Sequence, residues 1–105
     1  MQDIIRYELL QMDIDNPCKF MGLSFARKHG GLKINMYKKV YSGILLPHEI
    51  AGKSTATILE TLFVKFNADN RPNAKTSHSL SVSDVVKLGD KYWFCNNIGW
   101  VQIQL

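Results

Sequence analysis

The alternation of apolar and polar positions divides the chain into short elements separated by turn residues. Ile4 to Met12 reads as a first strand with Tyr7 and Leu9 on one side of the pleat, although Leu9-Leu10 interrupts strict alternation. Asp15-Asn16-Pro17 reads as a helix start: Asn16 can cap, and Pro17 suits the first helical position, where no N–H is needed. That helix is expected to run to about His29. Phe20, Met21, Leu23 and Phe25 supply apolar contacts at three- and four-residue spacing, and Gly30-Gly31 ends it. A second strand over Asn35 to Ser42 would put Tyr37, Lys39 and Tyr41 on one face and Met36, Lys38 and Val40 on the other. Gly43 and Pro47 bracket a loop whose Ile44, Leu45 and Leu46 are expected to pack inward, and His48 to Thr55 is connection.

Thr57-x-x-Glu60 has the form of a capping box, in which the Thr hydroxyl satisfies the amide three residues on and Glu60 reaches back. Leu59, Leu62, Phe63 and Phe66 follow at the spacing of a buried helical face. Asn67 to Ser77 is polar and contains Pro72, so it reads as loop. Val82 to Leu88 and Tyr92 to Cys95 suggest a hairpin across Gly89-Asp90. Asn96-Asn97 turns the chain into a last strand over Ile98 to Leu105, with Trp100 packed. The order is β-α-β-α-β-β-β. The economical solution is an α+β fold, with two helices packed on one face of a mainly antiparallel or mixed sheet. Residues 1–105 form a single domain by size, without repeats or linkers.

Composition narrows the class. A hydrophobic share of 46% with 21% charged residues is globular, and no apolar run approaches the roughly 18 residues of a membrane span. The stretch Met1 to Arg6 lacks the basic and long apolar blocks of a secretory signal. Cys18 and Cys95 fit reduced cytoplasmic thiols better than a disulfide framework. The net charge of +4 is mild but segregated: no acidic residue stands between Asp15 and Glu49, an interval holding Lys19, Arg27, Lys28, His29, Lys33, Lys38 and Lys39. The first fifteen residues run the other way, with Asp3, Glu8, Asp13 and Asp15 against Arg6. If the basic groups converge, Arg27, Lys28, Lys33, Lys38 and Lys39 could hold phosphates while Tyr37 and Tyr41 stack bases. The competing account is a solvated basic surface with the tyrosines in the core.

The other chemistry-bearing residues point to structure. Ser79, Ser81, Ser83 and Asp84 lack a Gly-x-Ser-x-Gly elbow, and His78 adjoins Ser79 in an extended segment, where neighbours point to opposite faces. Ser and Asp side chains bonding nearby main chain are the better account. No Cys-x-x-Cys or His-x-x-x-His spacing supports a metal site, and Gly30-Gly31 follows a helix instead of opening one, so neither metal nor cofactor is expected. A non-catalytic protein fits better than an enzyme.

The chain resembles the YodL-like domain, a small family of bacterial integrative and conjugative elements. Tyr7 with Gln11 is similar to its opening strand. Tyr37 to Tyr41 followed by Leu45 is similar to its central strand, and Thr57-x-Leu59-Glu60 with Lys65-Phe66-Asn67 to its helix. Ser79 to Val86 resembles its strongest signature; Ser79, Ser81, Ser83 and Asp84 there, with Thr57 and Glu60 of the helix motif, read as structural. Cys95 to Trp100 resembles its closing segment, with Asn96 in place of Asp and Trp100 in place of Phe. The resemblance implies a mobile-element setting more than a reaction. It leads us to expect a binding protein that inhibits a host defence system, of anti-CRISPR or antirestriction type, by contacting a defence nuclease or its guide RNA complex. The alternative expectation is a nucleic-acid-binding accessory of conjugative transfer or regulation.

Overall fold

The computed structural model describes residues 4–75 and 77–105. Asp3 and the start of the segment read against a secretory signal lie outside them, as does Thr76 in the polar loop. The strands are β1 (Ile5–Met12), β2 (Tyr37–Leu45), β3 (Val85–Leu88), β4 (Lys91–Cys95) and β5 (Trp100–Ile103); the α-helices are α1 (Leu23–Lys28), α2 (Pro47–Ile50) and α3 (Thr55–Lys65). A 3-10 turn, Ile34–Met36, leads into β2. The sheet order is β2-β1-β3-β4-β5, and every neighbouring pair is antiparallel. The α+β class is correct. The two expected helices are three, and they pack on both faces of the sheet instead of one.

The reason lies in β1 and β3, which are apolar on both sides of the pleat. Tyr7, Leu9 and Val86 join Leu59, Leu62 and Phe66 of α3 in one core. Leu10 and Val85 join Leu23 of α1 and Phe94 in a second, with Met12, Cys18 and Ala26 beside it. The doublets Leu9-Leu10 and Val85-Val86, which blur a one-sided alternation, are the mark of central strands covered twice. Cys18 and Cys95 are free, buried thiols belonging to different clusters; burial pushes the Cys95 thiol up to about 12.

The first helix is much shorter than expected. Asn16 Oδ1 accepts from the Cys18 amide at 2.8 Å, which closes a turn instead of starting a helix. Phe20 then takes a left-handed conformation (φ 65°), which no continuous α-helix allows. The Phe20 amide is held by Ser83 Oγ at 2.9 Å and that of Leu23 by Asn96 Oδ1 at 3.1 Å. Contacts from distant segments thus override the local start signal. In α3 the cap is Ser54, whose Oγ accepts from the Thr57 amide at 3.2 Å. Thr57 is therefore the third helical residue, and the expected capping box at Thr57-x-x-Glu60 does not form. The buried face of α3 comprises Ile58, Leu59 and Leu62, and Phe66 at its cap is buried as well.

β2 runs through Gly43, which was read as a loop bracket. Gly43 pairs with Tyr7, and a Cβ there would stand 2.7 Å from the Tyr7 hydroxyl, so only glycine lets the two strands close over that ring. Leu45 packs inward, whereas Ile44 and Leu46 stay 46% and 40% exposed. A bulge opposite Leu9/Leu10 adds a residue to β2 and reverses the pleat. Tyr37 consequently packs on the α1 side and Tyr41 on the α3 side, not on one face as strict alternation required. The β3–β4 hairpin turns at Gly89-Asp90 as expected, with Gly89 at φ 64°. β3 and β5 are shorter than expected because residues 81–84 and the segment around Gly99 are turns. No helix among the described residues is long and apolar enough to cross a membrane.

Candidate binding surfaces and the network beneath them

The serine-rich signature is a knot of main-chain bonds around a buried acid. Asp84 is fully buried. Its amide donates to Ser81 O at 3.0 Å, and its Oδ2 accepts from the Ser81 amide at 2.8 Å, so carboxylate and main chain close the same turn. Ser83 is left-handed (φ 82°) and fixed on three sides. Its amide donates to Cys95 O at 2.9 Å, its carbonyl accepts from the Tyr37 hydroxyl at 2.8 Å, and its Oγ holds Phe20. The Cys95 amide donates to Asp84 O at 2.8 Å. Ser81 Oγ donates to Ser79 O at 3.0 Å. Together these bonds fix the turn at residues 81–84 against β4 and the segment around Phe20.

Gln11, Lys19 and His78, far apart along the chain, complete the network. Gln11 Nε2 donates to Asp84 Oδ2 at 3.0 Å and to His78 O at 3.1 Å, tying β1 to the loop. Lys19 is buried, not part of a basic surface; its ammonium donates to Met12 O and to His78 Nε2. With Nε2 accepting, His78 Nδ1 carries the proton and donates to Ser79 O at 2.5 Å, so the ring is neutral. Burial, opposed by that bond, together with nearby Lys19 and Arg71, pulls the His78 pKa down. Burial also pulls Lys19 down, against the attraction of Asp84 and Asp13. Burial dominates at Asp84 too, raising its carboxyl to about 7 despite the bonds from Ser81 and Gln11 and the Lys19 charge. Its Oδ1 has no hydrogen-bond partner among the described residues. The Gln11, Lys19 and Asp84 Oδ2 contacts hold residues 77–84 against β1 and the segment that follows it. Of Gln11, Lys19 and His78, Gln11 alone belongs to the residues that carry the family resemblance.

Five basic residues singled out from sequence are exposed, at scattered places. Arg27 and Lys28 occupy the last turn of α1, and Lys33 precedes the 3-10 turn. Lys38 and Lys39 point to opposite faces of β2. Lys38 pairs with Gln11 and borders a hollow of about 190 Å³ with Lys19 and His78, whereas Lys39 reaches Glu8 across the strands at 3.9 Å. Among the described residues no acidic partner meets Arg27, Lys28, Lys33 or Lys38. The tyrosines are engaged below this surface: the Tyr37 hydroxyl is bonded to Ser83, and burial raises its pKa. The Tyr41 ring packs edge-on to Phe66 at 5.3 Å. A groove of about 500 Å³ runs between α1 and β5, lined by Leu23, Arg27, Leu32 and Ile103. A further hollow of about 400 Å³ lies where Glu60, Asn67, Ser81, Asn97 and Trp100 meet.

These features define a small α+β domain: an antiparallel sheet covered on both faces, locked by a buried Asp84 network and bearing cations that meet no acid among the described residues. The chain belongs to the YodL-like domain family, whose model matches residues 5–105. No curated protein and no solved structure matches the chain.

Proposed function

We propose that this protein is a non-catalytic binding module that docks on an anionic nucleoprotein through exposed cations spread over α1, the 3-10 turn and β2. The observation that carries this reading is the set of exposed cations, Arg27, Lys28, Lys33 and Lys38, left without acidic partners among the described residues on a chain of net charge +4. The partner we propose is a host defence nuclease with its guide RNA, which docking disables in the cytoplasm. The mobile-element setting implied by the resemblance supports that choice. Phosphate contacts would come from the cations alone, because the tyrosine rings are packed inward.

The test is capture of the tagged protein from a bacterial lysate expressing a defence nuclease, with and without ribonuclease, paired with a plasmid-interference assay. Recovery of the nuclease and loss of interference are expected. Four phosphate contacts predict an affinity for single-stranded nucleic acid falling about 50-fold between roughly 50 and 200 mM salt. Recovery of bulk nucleic acid alone, with interference intact, would replace this reading with that of a nucleic-acid-binding accessory.

A further inference from the structure

The two outer strands of the sheet are built in opposite ways. β2 carries Lys38 and Lys39 and a bulge, features that keep an exposed edge from pairing with another chain. β5 carries none of these: from Ile98 to Leu105 there is no charged residue and no proline, and its pairing with β4 is regular. Among the described residues β5 has β4 as its one strand neighbour, which leaves its outer side without a strand partner.

The direction of its free groups follows from the ladder. The Asn96 amide donates to Gly99 O at 3.0 Å, which makes Asn96 and Gly99 a hydrogen-bonded pair. Antiparallel pairs alternate, so Cys95–Trp100 and Trp93–Gln102 are non-bonded pairs. Cys95 agrees, since its amide and carbonyl are both taken by Asp84 and Ser83 on the β3 side. Trp100 and Gln102 therefore aim their N–H and C=O groups away from β4, at the open edge. The side chains of Val101 and Ile103 belong to the α1-side cluster, next to the groove lined by Leu23 and Leu32.

We propose that β5 is a self-association edge, pairing antiparallel with β5 of a second copy of this chain in a two-fold register centred on Gln102. In that register Gln102 exchanges both main-chain bonds with Gln102 of the second copy, and Trp100 faces Gln104. Val101 faces Ile103 in the close, non-bonded pairs, where apolar side chains touch best. The strand is its own complement, as a two-fold interface requires. The paired strands carry no charged side chain of their own, and the nearest charge in the adjoining groove is Arg27. Two five-stranded sheets become one of ten strands, and the apolar clusters beneath α1 join across the axis. Of the basic groups invoked for the proposed function, Arg27 stands beside this edge in the groove, whereas Lys28, Lys33 and Lys38 do not line it.

The test is sedimentation equilibrium of the full chain, looking for a shift from 12.0 kDa towards twice that mass. A seam this short belongs with weak interfaces, so the titration should reach about 1 mM. Gln102 is exposed, so Gln102→Lys and Gln102→Glu leave the monomer's melting temperature unchanged while setting like charges opposite each other at the axis. Each alone should weaken the dimer several-fold, and an equimolar mixture should restore it as a heterodimer. Gln102→Pro, which removes the central N–H donors, should weaken it on the order of tenfold or more. A wild-type chain that stays monomeric throughout overturns the proposal and leaves the edge for a strand of another protein. A dimer indifferent to both charge variants, or a mixture no tighter than either, overturns the β5 register.

Discussion

Asp84 offers the sharpest energetic prediction, because a fully buried carboxyl should behave as a built-in pH dependence of stability. Its pKa is raised to about 7 from the ordinary 3.8, chiefly by burial. The folded chain therefore holds a proton that the unfolded chain has released, and stability falls as pH rises through this window. The slope is about 1.4 kcal/mol per pH unit, so between about pH 4 and pH 7 the loss is about 4 kcal/mol. His78 acts in the opposite sense: with its pKa lowered, it costs stability as pH falls below 6.5. The wild-type profile is therefore a sum of opposed slopes, and the difference from a variant isolates Asp84. In Asp84→Asn the amide oxygen can replace Oδ2 as acceptor for the Ser81 amide and Gln11 Nε2, and the side chain no longer titrates. Urea unfolding of both chains at pH 4, 6 and 8 is the assay. The variant should gain about 4 kcal/mol relative to wild type between pH 4 and pH 8. A variant that loses ground at pH 8 would refute the reasoning. It would mean that the carboxylate is stabilised as an ion by Lys19 and that burial is not the dominant cause.

The remaining predictions concern single contacts. Ser54→Ala should cost about 1 kcal/mol by removing the α3 cap, and Thr57→Ala clearly less, in paired thermal or urea melts. Gly43→Ala should cost about 1–3 kcal/mol, because the new methyl meets the buried Tyr7 ring; a second substitution, Tyr7→Leu, should reduce that cost in a double-mutant cycle. Tyr37→Phe should cost about 1–2 kcal/mol by leaving Ser83 O without its donor, measured by urea unfolding. Arg27→Glu with Lys28→Glu should weaken partner or nucleic-acid binding and flatten its salt dependence while the melting temperature holds, by fluorescence anisotropy. Lys39→Glu should do less, because Lys39 already faces Glu8.

Local pattern was enough wherever an element's own residues decide its state. The β3–β4 turn at Gly89-Asp90, the apolar face of α3 and the α+β class follow from spacing alone. It failed where a distant group holds the main chain. Ser83 and Asn96 catch the amides of Phe20 and Leu23, so a segment with a good helix start becomes a turn and a short helix. The extra residue in β2 parts Tyr37 from Tyr41, because strand faces depend on register against β1 and not on β2 itself. The same limit governs the candidate sites. The sequence identified the basic residues and the serine-rich segment, both as counts of residue types. Which cations stay exposed, and that Lys19 is buried against His78, depends on packing between residues about sixty positions apart. Edge or interior position is likewise a property of strand order. β5 could be read as a strand from its own residues, but only its place beyond β4 leaves Trp100 and Gln102 facing outward with hydrogen bonds to make.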